Sequence, residues 1–242
     1  VETMRRDFVA NVSHELRTPL TVLTGFLETL TDMPDTDPEM VQRSLRLMSQ
    51  QATRMSRLVE DLLTLSRLES TDAPAREIDF SVTDLVRQLH DDALLLSNGH
   101  HDIEVSLDTM DDLHGNPDEI RSAFGNLVNN AIRYTPEGGR ITVVWAVEKG
   151  QLVFSVRDTG PGIEAHHIDR LTERFYRVDR SRSRETGGTG LGLAIVKHVL
   201  SRHQAKLEIE SEVGRGSVFR AVFPAARRVV TPPAAGLVRT GS

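Results

Sequence analysis

The sequence predicts a helical hairpin followed by an α/β sandwich with a mixed sheet and helices on one face. Three observations carry this reading. Up to residue 69, apolar residues recur every three or four positions, the period of an amphipathic helix. From residue 79 onward, short alternating strands and helical stretches take turns. The later strands come in pairs around the short turns EKGQ (148–151) and EVGRG (212–216), so they form antiparallel hairpins and not a uniform βα repeat.

In the first helix, Val9, Val12, Leu16, Pro19, Leu23, Phe26 and Leu30 form the seam. His14 lies off that seam, and Thr18 sits one turn further along on the face of His14. Pro19 removes a backbone donor and crowds the carbonyl of Glu15, so a kink is expected there. The second helix runs from Pro38 to Glu69. Val41, Leu45, Met48, Ala52, Met55, Val59 and Leu62 alternate spacings of four and three, a heptad seam. The connection MPDTDPE is short and rich in turn residues, which makes the helices antiparallel. Leu20, Leu27, Leu47, Leu58, Leu63 and Leu65 widen the stripe beyond what one hairpin covers. Pairing two hairpins as a dimeric four-helix bundle would cover it, and is favoured over a lone hairpin packed on the rest of the chain.

The stretch STDAPARE carries Pro, Ala and charge without periodicity and places a linker at 71–78. A second domain follows over 79–225. Asp79 and Phe80 open a strand, Val82–Ser97 reads as a helix, and Ile103–Leu107 alternates as a strand. Pro117–Tyr134 is a helix with Pro in its first turn and Asn116 as its cap. Ile141–Val147 pairs with Leu152–Arg157, Leu191–His203 is helical, and Leu207–Ser211 pairs with Ser217–Phe223. Residues 226–242 read as a flexible tail.

Composition narrows the function. The 242 residues allow one or two domains, and 38% apolar content suits a globular protein. There is no cysteine, which excludes disulfides and thiolate chemistry. A formal charge of −6 argues against nucleic acid as the main partner. No apolar run reaches the roughly 18 residues of a membrane span, and no signal peptide is visible. The chain does not open on Met and is helical from Glu2, so an upstream part carrying a membrane anchor is expected.

Three motifs in the second half carry chemistry. NLVNNA places Asn126 and Asn130 four apart on one helix face, where their amide oxygens suit Mg²⁺; structural capping is the alternative. DTGPG puts Asp158 at the end of an apolar strand, able to accept from an exocyclic amine, or to form an ordinary Asp-Gly turn. GGTGLGLAIVKH, from Gly187, opens a helix with glycines, where free N–H groups and the dipole suit phosphates. It lacks the Lys-Ser or Lys-Thr of a P-loop and the spacing of a dinucleotide fingerprint.

In this order and at these distances, the three motifs resemble the ATP-binding fold of gyrase, the ninety-kilodalton heat-shock chaperones, histidine kinases and the MutL proteins, the Bergerat or GHKL fold. ERFYRVD, from Glu173, is similar to the aromatic box that histidine kinases place before a mobile lid, and HELRTPL, from His14, to their phosphoacceptor motif. RLTERFYRVDRSRSRETGG looks most like the phosphate-starvation branch of these sensors.

The resemblance implies that residues 1–70 are a dimerisation and histidine phosphotransfer domain and 79–225 a catalytic ATP-binding domain. His14 would be the phosphoacceptor; Glu15 would take its ring proton or fix its neutral tautomer. Thr18 would position a water that removes phosphate from the partner. Asn126 and Asn130 would hold Mg²⁺ and the phosphates of ATP, and Arg133 would meet phosphate where many relatives carry Lys. Tyr134 would lie near the adenine, Asp158 would accept from its amine, and Gly160 and Gly162 would let the chain approach the base. Gly188, Thr189, Gly190, Leu191 and Gly192 would wrap the triphosphate, with Phe175 anchoring the lid and Arg177 beside it. The implied partners are a second copy of the chain and a PhoB-like response-regulator receiver domain, with no nucleic acid. The membrane would be reached only through a missing N-terminal region, this chain being the cytoplasmic portion of an inner-membrane protein.

Other readings fare worse. Thr18 stands where a zinc peptidase H-E-x-x-H motif needs its second histidine. His100-His101 and His166-His167 lack ligand spacing and read as surface residues, and no G-x-S-x-G elbow supports a serine hydrolase. Two alternatives stay open: a degenerate ATP-sensing dimeric scaffold, and an ATPase without histidine phosphorylation. Asn126 disfavours the second, because an amide is not a general base where related hydrolases carry Glu.

Overall fold

The computed structural model describes residues 2–32, 37–69, 76–178 and 188–231. Residue 1, residues 33–36 where a turn is expected, residues 70–75 at the expected linker, the Arg-rich sequence 179–187 and residues 232–242 of the expected tail lie outside them. The chain divides into two compact units, Val1–Glu69 with Leu171–Ala194, and Ser70–Arg170 with Ile195–Ser242.

The first unit is built on α1 (Glu2–Asp32) and α2 (Pro38–Glu69). Asp37 opens α2, its carboxylate accepting from the Glu39 N–H at 3.2 Å. α1 runs as one helix through Pro19, which is buried. Val12, Leu16, Leu23, Phe26 and Leu30 share its inward face, whereas Val9 is 58% exposed. The α2 seam differs from the predicted heptad. Val41, Met48, Met55 and Leu62 do turn inward, but Ser44 and Leu58 are the buried residues between them, with Leu65 and Leu68 buried beyond. Leu45, Ala52 and Val59 are exposed. Apolar residues flank the 41-48-55-62 line on both sides, and small Ser44, which a hydrophobic count discards, lies on the side buried within this chain. Leu20, Leu27, Leu45, Val59 and Leu63 remain exposed on the two helices.

The second unit holds a five-stranded sheet in the order β2-β4-β5-β7-β6, formed by Asp102–Leu107, Arg140–Glu148, Gln151–Asp158, Gly216–Phe223 and Lys206–Glu212. β2 pairs parallel with β4 and every other pair is antiparallel, giving the mixed sheet the hairpins predict. Register sorts the residues by face. Ile141, Val143 and Trp145 stand opposite Asp158, Val156 and Phe154, which stand opposite Ser217, Phe219 and Ala221. This row is buried, while the alternate row carries Thr142, Ser155, Arg157, Glu208 and Arg220. α3 (Val82–Ser97) and α4 (Pro117–Tyr134) pack together and onto this sheet. Phe124 of α4 stacks on Phe154 at 3.8 Å between centroids, with Trp145 and Phe223 at 6.3 and 6.1 Å. Such a pair adds about 1 kcal/mol beyond its buried area.

A second, three-stranded sheet has the order β1-β3-β8. β1 (Ile78–Phe80) pairs with β3 (Asp112–Gly115), a strand too short and polar to register as alternation. β8 (Arg228–Val229) pairs with β3 on its other side. The segment read as a flexible tail therefore begins inside the fold. Its 3₁₀ turn Ala225–Arg227 carries Arg227, which donates to Glu77, Gln204 and the His114 carbonyl. The Arg227 guanidinium holds the Glu77 carboxyl below its usual range. Arg228 and the Thr231 N–H likewise outweigh burial at Asp111, whose carboxyl is also lowered.

Beyond the one-turn α5 (Ala165–Ile168), His203 at the end of α6 (Gly192–Arg202) is fully buried. Its Nδ1–H donates to the Val199 carbonyl at 2.8 Å and its Nε2 accepts the Asn116 N–H at 3.0 Å. Both nitrogens are thus committed to the neutral ring. A Cβ on Gly115 would come 2.8 Å from this imidazole, which explains the glycine before the α4 cap. Burial pushes the His203 pKa below its usual value, with Arg227 nearby also opposing charge and Glu119 and Glu77 favouring it. Above about pH 6.5 both folded and unfolded states hold this ring neutral; below it the unfolded chain takes up a proton the fold refuses. Stability should therefore fall as the pH drops below about 6.5, with a slope of at most about 1.4 kcal/mol per pH unit from this group. Urea midpoints measured below that pH should show the slope in the parent chain and its reduction in His203→Gln.

Candidate active site

In the second unit the site residues sit on α4 and at the end of β5. Asn116 caps α4 by accepting from the Asp118 and Glu119 N–H groups at 3.0 and 3.2 Å. The helix buries Ile120, Ala123, Phe124, Leu127, Val128, Ala131 and Ile132, which leaves Asn126 and Asn130 half-buried on one flank. Asn126 donates its amide nitrogen to the Ser122 carbonyl at 2.9 Å, so its oxygen is the group left for ligation. Neutral amide oxygens are hard donors of the kind Mg²⁺ accepts beside phosphate, so the donor set fits that ion. Arg133 is half-buried and Tyr134 is exposed at the end of the helix.

Asp158 ends the inward row Leu152-Phe154-Val156, so the pleat aims its carboxylate to the buried face. Its Oδ1 accepts the Gly160 N–H at 2.8 Å. Burial raises its pKa, and the N–H groups of Gly160 and Ser217 pull it back in part. The glycines of DTGPG also have reasons within the fold. A Cβ on Gly160 would lie 3.0 Å from the Tyr134 carbonyl, and at Gly162, with φ of +71°, it would overlap the Glu212 carbonyl. Gly160 thereby joins the end of α4 to the end of β5. His101 belongs beneath this junction and is not a plain surface residue: its ring lies 3.0 Å from both Ser97 Oγ and the Thr135 carbonyl.

The first unit gathers a different set. His14 is exposed on α1, as its place off the seam predicts. The Thr18 hydroxyl donates back to the His14 carbonyl at 3.2 Å, keeping its lone pairs to accept. Glu15 Oε2 receives Arg54 of α2 at 2.9 Å and Arg177 at 3.4 Å. Arg177 also donates to the Gly188 carbonyl. Phe175, at φ of +61°, donates its N–H to the Gly190 carbonyl at 2.8 Å, and a Cβ on Gly190 would lie 2.9 Å from the Phe175 Cα. The aromatic box and the glycine loop are thus one folded piece. Thr189 donates to Asp61 of α2 at 2.6 Å, and Leu191 is fully buried where α6 begins at Gly192. Phe175 packs on Phe8 at 5.8 Å, with Arg174 over the Phe8 ring and bonded to Glu69.

Arg54, Asp61 and Phe8 belong to no motif, and Arg174 lies within ERFYRVD without a role read from it. Each acts through a partner far away in sequence, and an isolated Asp or Arg on a helix gives no pattern to find.

Two family models match this chain. Residues 4–71 match the His Kinase A (phospho-acceptor) domain, and residues 115–227 match the histidine kinase-, DNA gyrase B-, and HSP90-like ATPase. The chain belongs to the sensor histidine kinases and comprises their catalytic core, with the ATP-binding domain that family carries. It is 52% identical to the phosphate regulon sensor protein PhoR of Pseudomonas aeruginosa over 94% of this chain and 52% of that one. PhoR of Haemophilus influenzae is 41% identical over 91% of this chain and 51% of its own length. The chain spans about half the length of these curated relatives. Among solved structures, the Acinetobacter baumannii histidine kinase AdeS matches with a TM-score of 0.67 at 26% identity, over 88% of this chain and 98% of that one. The histidine kinase ThkA, solved in complex with response regulator TrrA, matches in fold with a TM-score of 0.73 at 23% identity, over 90% and 61% of the two chains. Among the described residues no helix is long and apolar enough to cross a membrane.

Asp158 is open to a test that spares the fold. In Asp158→Asn, the retained Oδ1 can still accept from Gly160, while the second oxygen becomes an amide donor, which an amine of a bound base could not use. Nucleotide affinity should fall about 10- to 100-fold, as for an unpaired buried polar group, with an unchanged melting temperature. Isothermal titration with Mg-ATP beside a thermal melt checks both.

Proposed function

We propose that this chain autophosphorylates His14 from ATP, passes the phosphoryl group to an aspartate of a response regulator, and also dephosphorylates that regulator. The observation that carries the reading is the pairing of an exposed His14 with Glu15, whose carboxylate meets Arg177 of the segment bearing the glycine loop. In the transfer, an imidazole nitrogen attacks the γ-phosphorus, the bond to the ADP oxygen breaks, and the other ring nitrogen loses its proton. Glu15, the next residue along α1, would take the proton or fix the neutral tautomer beforehand. Asp158 accepts from the adenine amine, Gly160 and Gly162 shape the approach to the base, and Tyr134 flanks it. Asn126 and Asn130 would hold Mg²⁺, which supplies charge neutralisation on the phosphates. Arg133, Arg177 and the loop Gly188–Gly192 complete the phosphate side. Asn126 in place of an acid favours transfer over hydrolysis.

The partners follow from the same reading. Leu20, Leu27, Leu45, Val59 and Leu63 form an exposed apolar stripe that a second copy of the hairpin would cover, giving the four-helix bundle. The likeness to PhoR supports phosphate-regulon signalling, a PhoB-type receiver domain as acceptor, and attachment to the inner membrane through a region outside this chain, with these domains on the cytoplasmic side.

Incubation with γ-labelled ATP tests the central step. His14→Ala should bind nucleotide normally and take up no label, whereas acid-labile, alkali-stable label should appear on the parent chain; full labelling of the variant excludes His14. The two activities should also part by residue. Thr18→Ala is expected to keep autophosphorylation and lose regulator dephosphorylation, and Glu15→Ala the reverse. Loss of label from phosphorylated regulator with ADP and Mg²⁺, run beside the autokinase assay, reads the split, and an unchanged dephosphorylation rate in Thr18→Ala would make the threonine purely structural.

A further inference from the structure

We propose that Arg54 is a positioning residue for phosphorylation of His14, holding the Glu15 carboxylate in place from the opposite helix; this rests on the reading of Glu15 just given. Arg54 lies on α2 directly across the hairpin, and its Nη2 is 2.9 Å from Glu15 Oε2. Its side chain is only 12% exposed, against 30% for Glu15. The residue flanks an apolar seam of Met48, Met55, Leu58 and Leu62, where a guanidinium is costly unless its charge is met. A charge-assisted bond at this length fixes the carboxylate's direction as well as its position. A carboxylate that must meet one ring nitrogen of an exposed histidine gains from that fixation, because a misplacement of about 1 Å suffices to cost two orders of magnitude in rate.

Arg177 reaches the same oxygen, yet at 3.4 Å and from outside the hairpin. It also bonds to the Gly188 carbonyl, and the reading above assigns it to the phosphate side. Arg54 shares the hairpin with Glu15, so it stays with that carboxylate when Arg177 turns to nucleotide. The competing explanation is an interhelical ion pair that only stabilises the hairpin.

The two explanations separate in steady-state autophosphorylation of the full chain with Mg-ATP. Arg54→Met keeps the length and apolar packing of the stem and removes the charge. Its kcat should fall roughly tenfold or more, a part of what a general base contributes, with the KM for ATP and the melting temperature close to the parent's. Arg54→Lys should recover most of the rate, because the contact uses one nitrogen. Glu15→Gln should be slow by itself, and adding Arg54→Met to it should cost little more, as for two residues acting as one unit. An unchanged kcat in Arg54→Met while Glu15→Gln is slow overturns the role of Arg54 alone. Full activity in Glu15→Gln overturns the reading of Glu15 and this inference with it. A fall that tracks lost helicity, or strictly additive losses in the double variant, assigns Arg54 to hairpin stability.

Discussion

The stacking of Phe124 on Phe154 is the contact on which the second unit depends. Four residues after Phe154 the same strand ends at Asp158, and Asn126 and Asn130 follow Phe124 on the same helix. One aromatic pair therefore fixes the rotation of α4 and the depth of β5 together. Helical and strand periods then do the rest. At 100° per residue, burying Phe124, Leu127 and Val128 turns the two amides to a flank. At two residues per repeat, burying Phe154 and Val156 turns Asp158 inward. The hydrophobic core and the polar site are set by one alignment, and a slip of one residue in β5 would send Asp158 to the opposite face of the sheet.

A second polar centre ties the ends of that unit together. His203, Asn116 and Gly115 join α6 to the start of α4, while Arg227 joins Gln204 and the β3 backbone to Glu77 at the end of the linker. The fit is close because no member is redundant: each His203 nitrogen has its partner, and Arg227 donates from all three of its nitrogens. Buried polar groups satisfied in this way confer a unique arrangement more than they add stability. The same centre explains why the chain continues in order past Phe223, since Arg227 and Arg228 bring the counter-charges that Glu77 and Asp111 require.

In the first unit, charge takes over where periodicity ends. The hairpin buries one apolar stripe and leaves Leu20, Leu27, Leu45 and Leu63 outside. Between the stripes, Glu15 and Asp61 present carboxylates that receive Arg54 and Arg177 in one case and Thr189 in the other. Of these, Arg177 and Thr189 are residues expected to meet phosphate and Glu15 is expected to flank the phosphoacceptor. An acid next to His14 is thus connected by direct bonds to both helices and to the segment that carries the glycine loop.

Much of this was determined by the sequence by itself. Helix and strand limits followed from periodicity and from caps such as Asn116, because these signals are local. Order and spacing of HELRTPL, NLVNNA, DTGPG and GGTGLGL placed the chain in its family, because each chemistry tolerates few residue types. Tertiary structure decided what depends on distant partners. Which side of the α2 heptad turns inward depended on α1, and so Ser44 and Leu58 displaced Leu45 and Val59 from the seam. β3 and β8 exist through pairing and not through alternation. Gly115 and Gly162 are explained by an imidazole and a carbonyl that lie far along the chain. Arg54 gained its meaning from Glu15, 39 positions away, since a helix's own sequence records its faces but not the charge that will stand across from them.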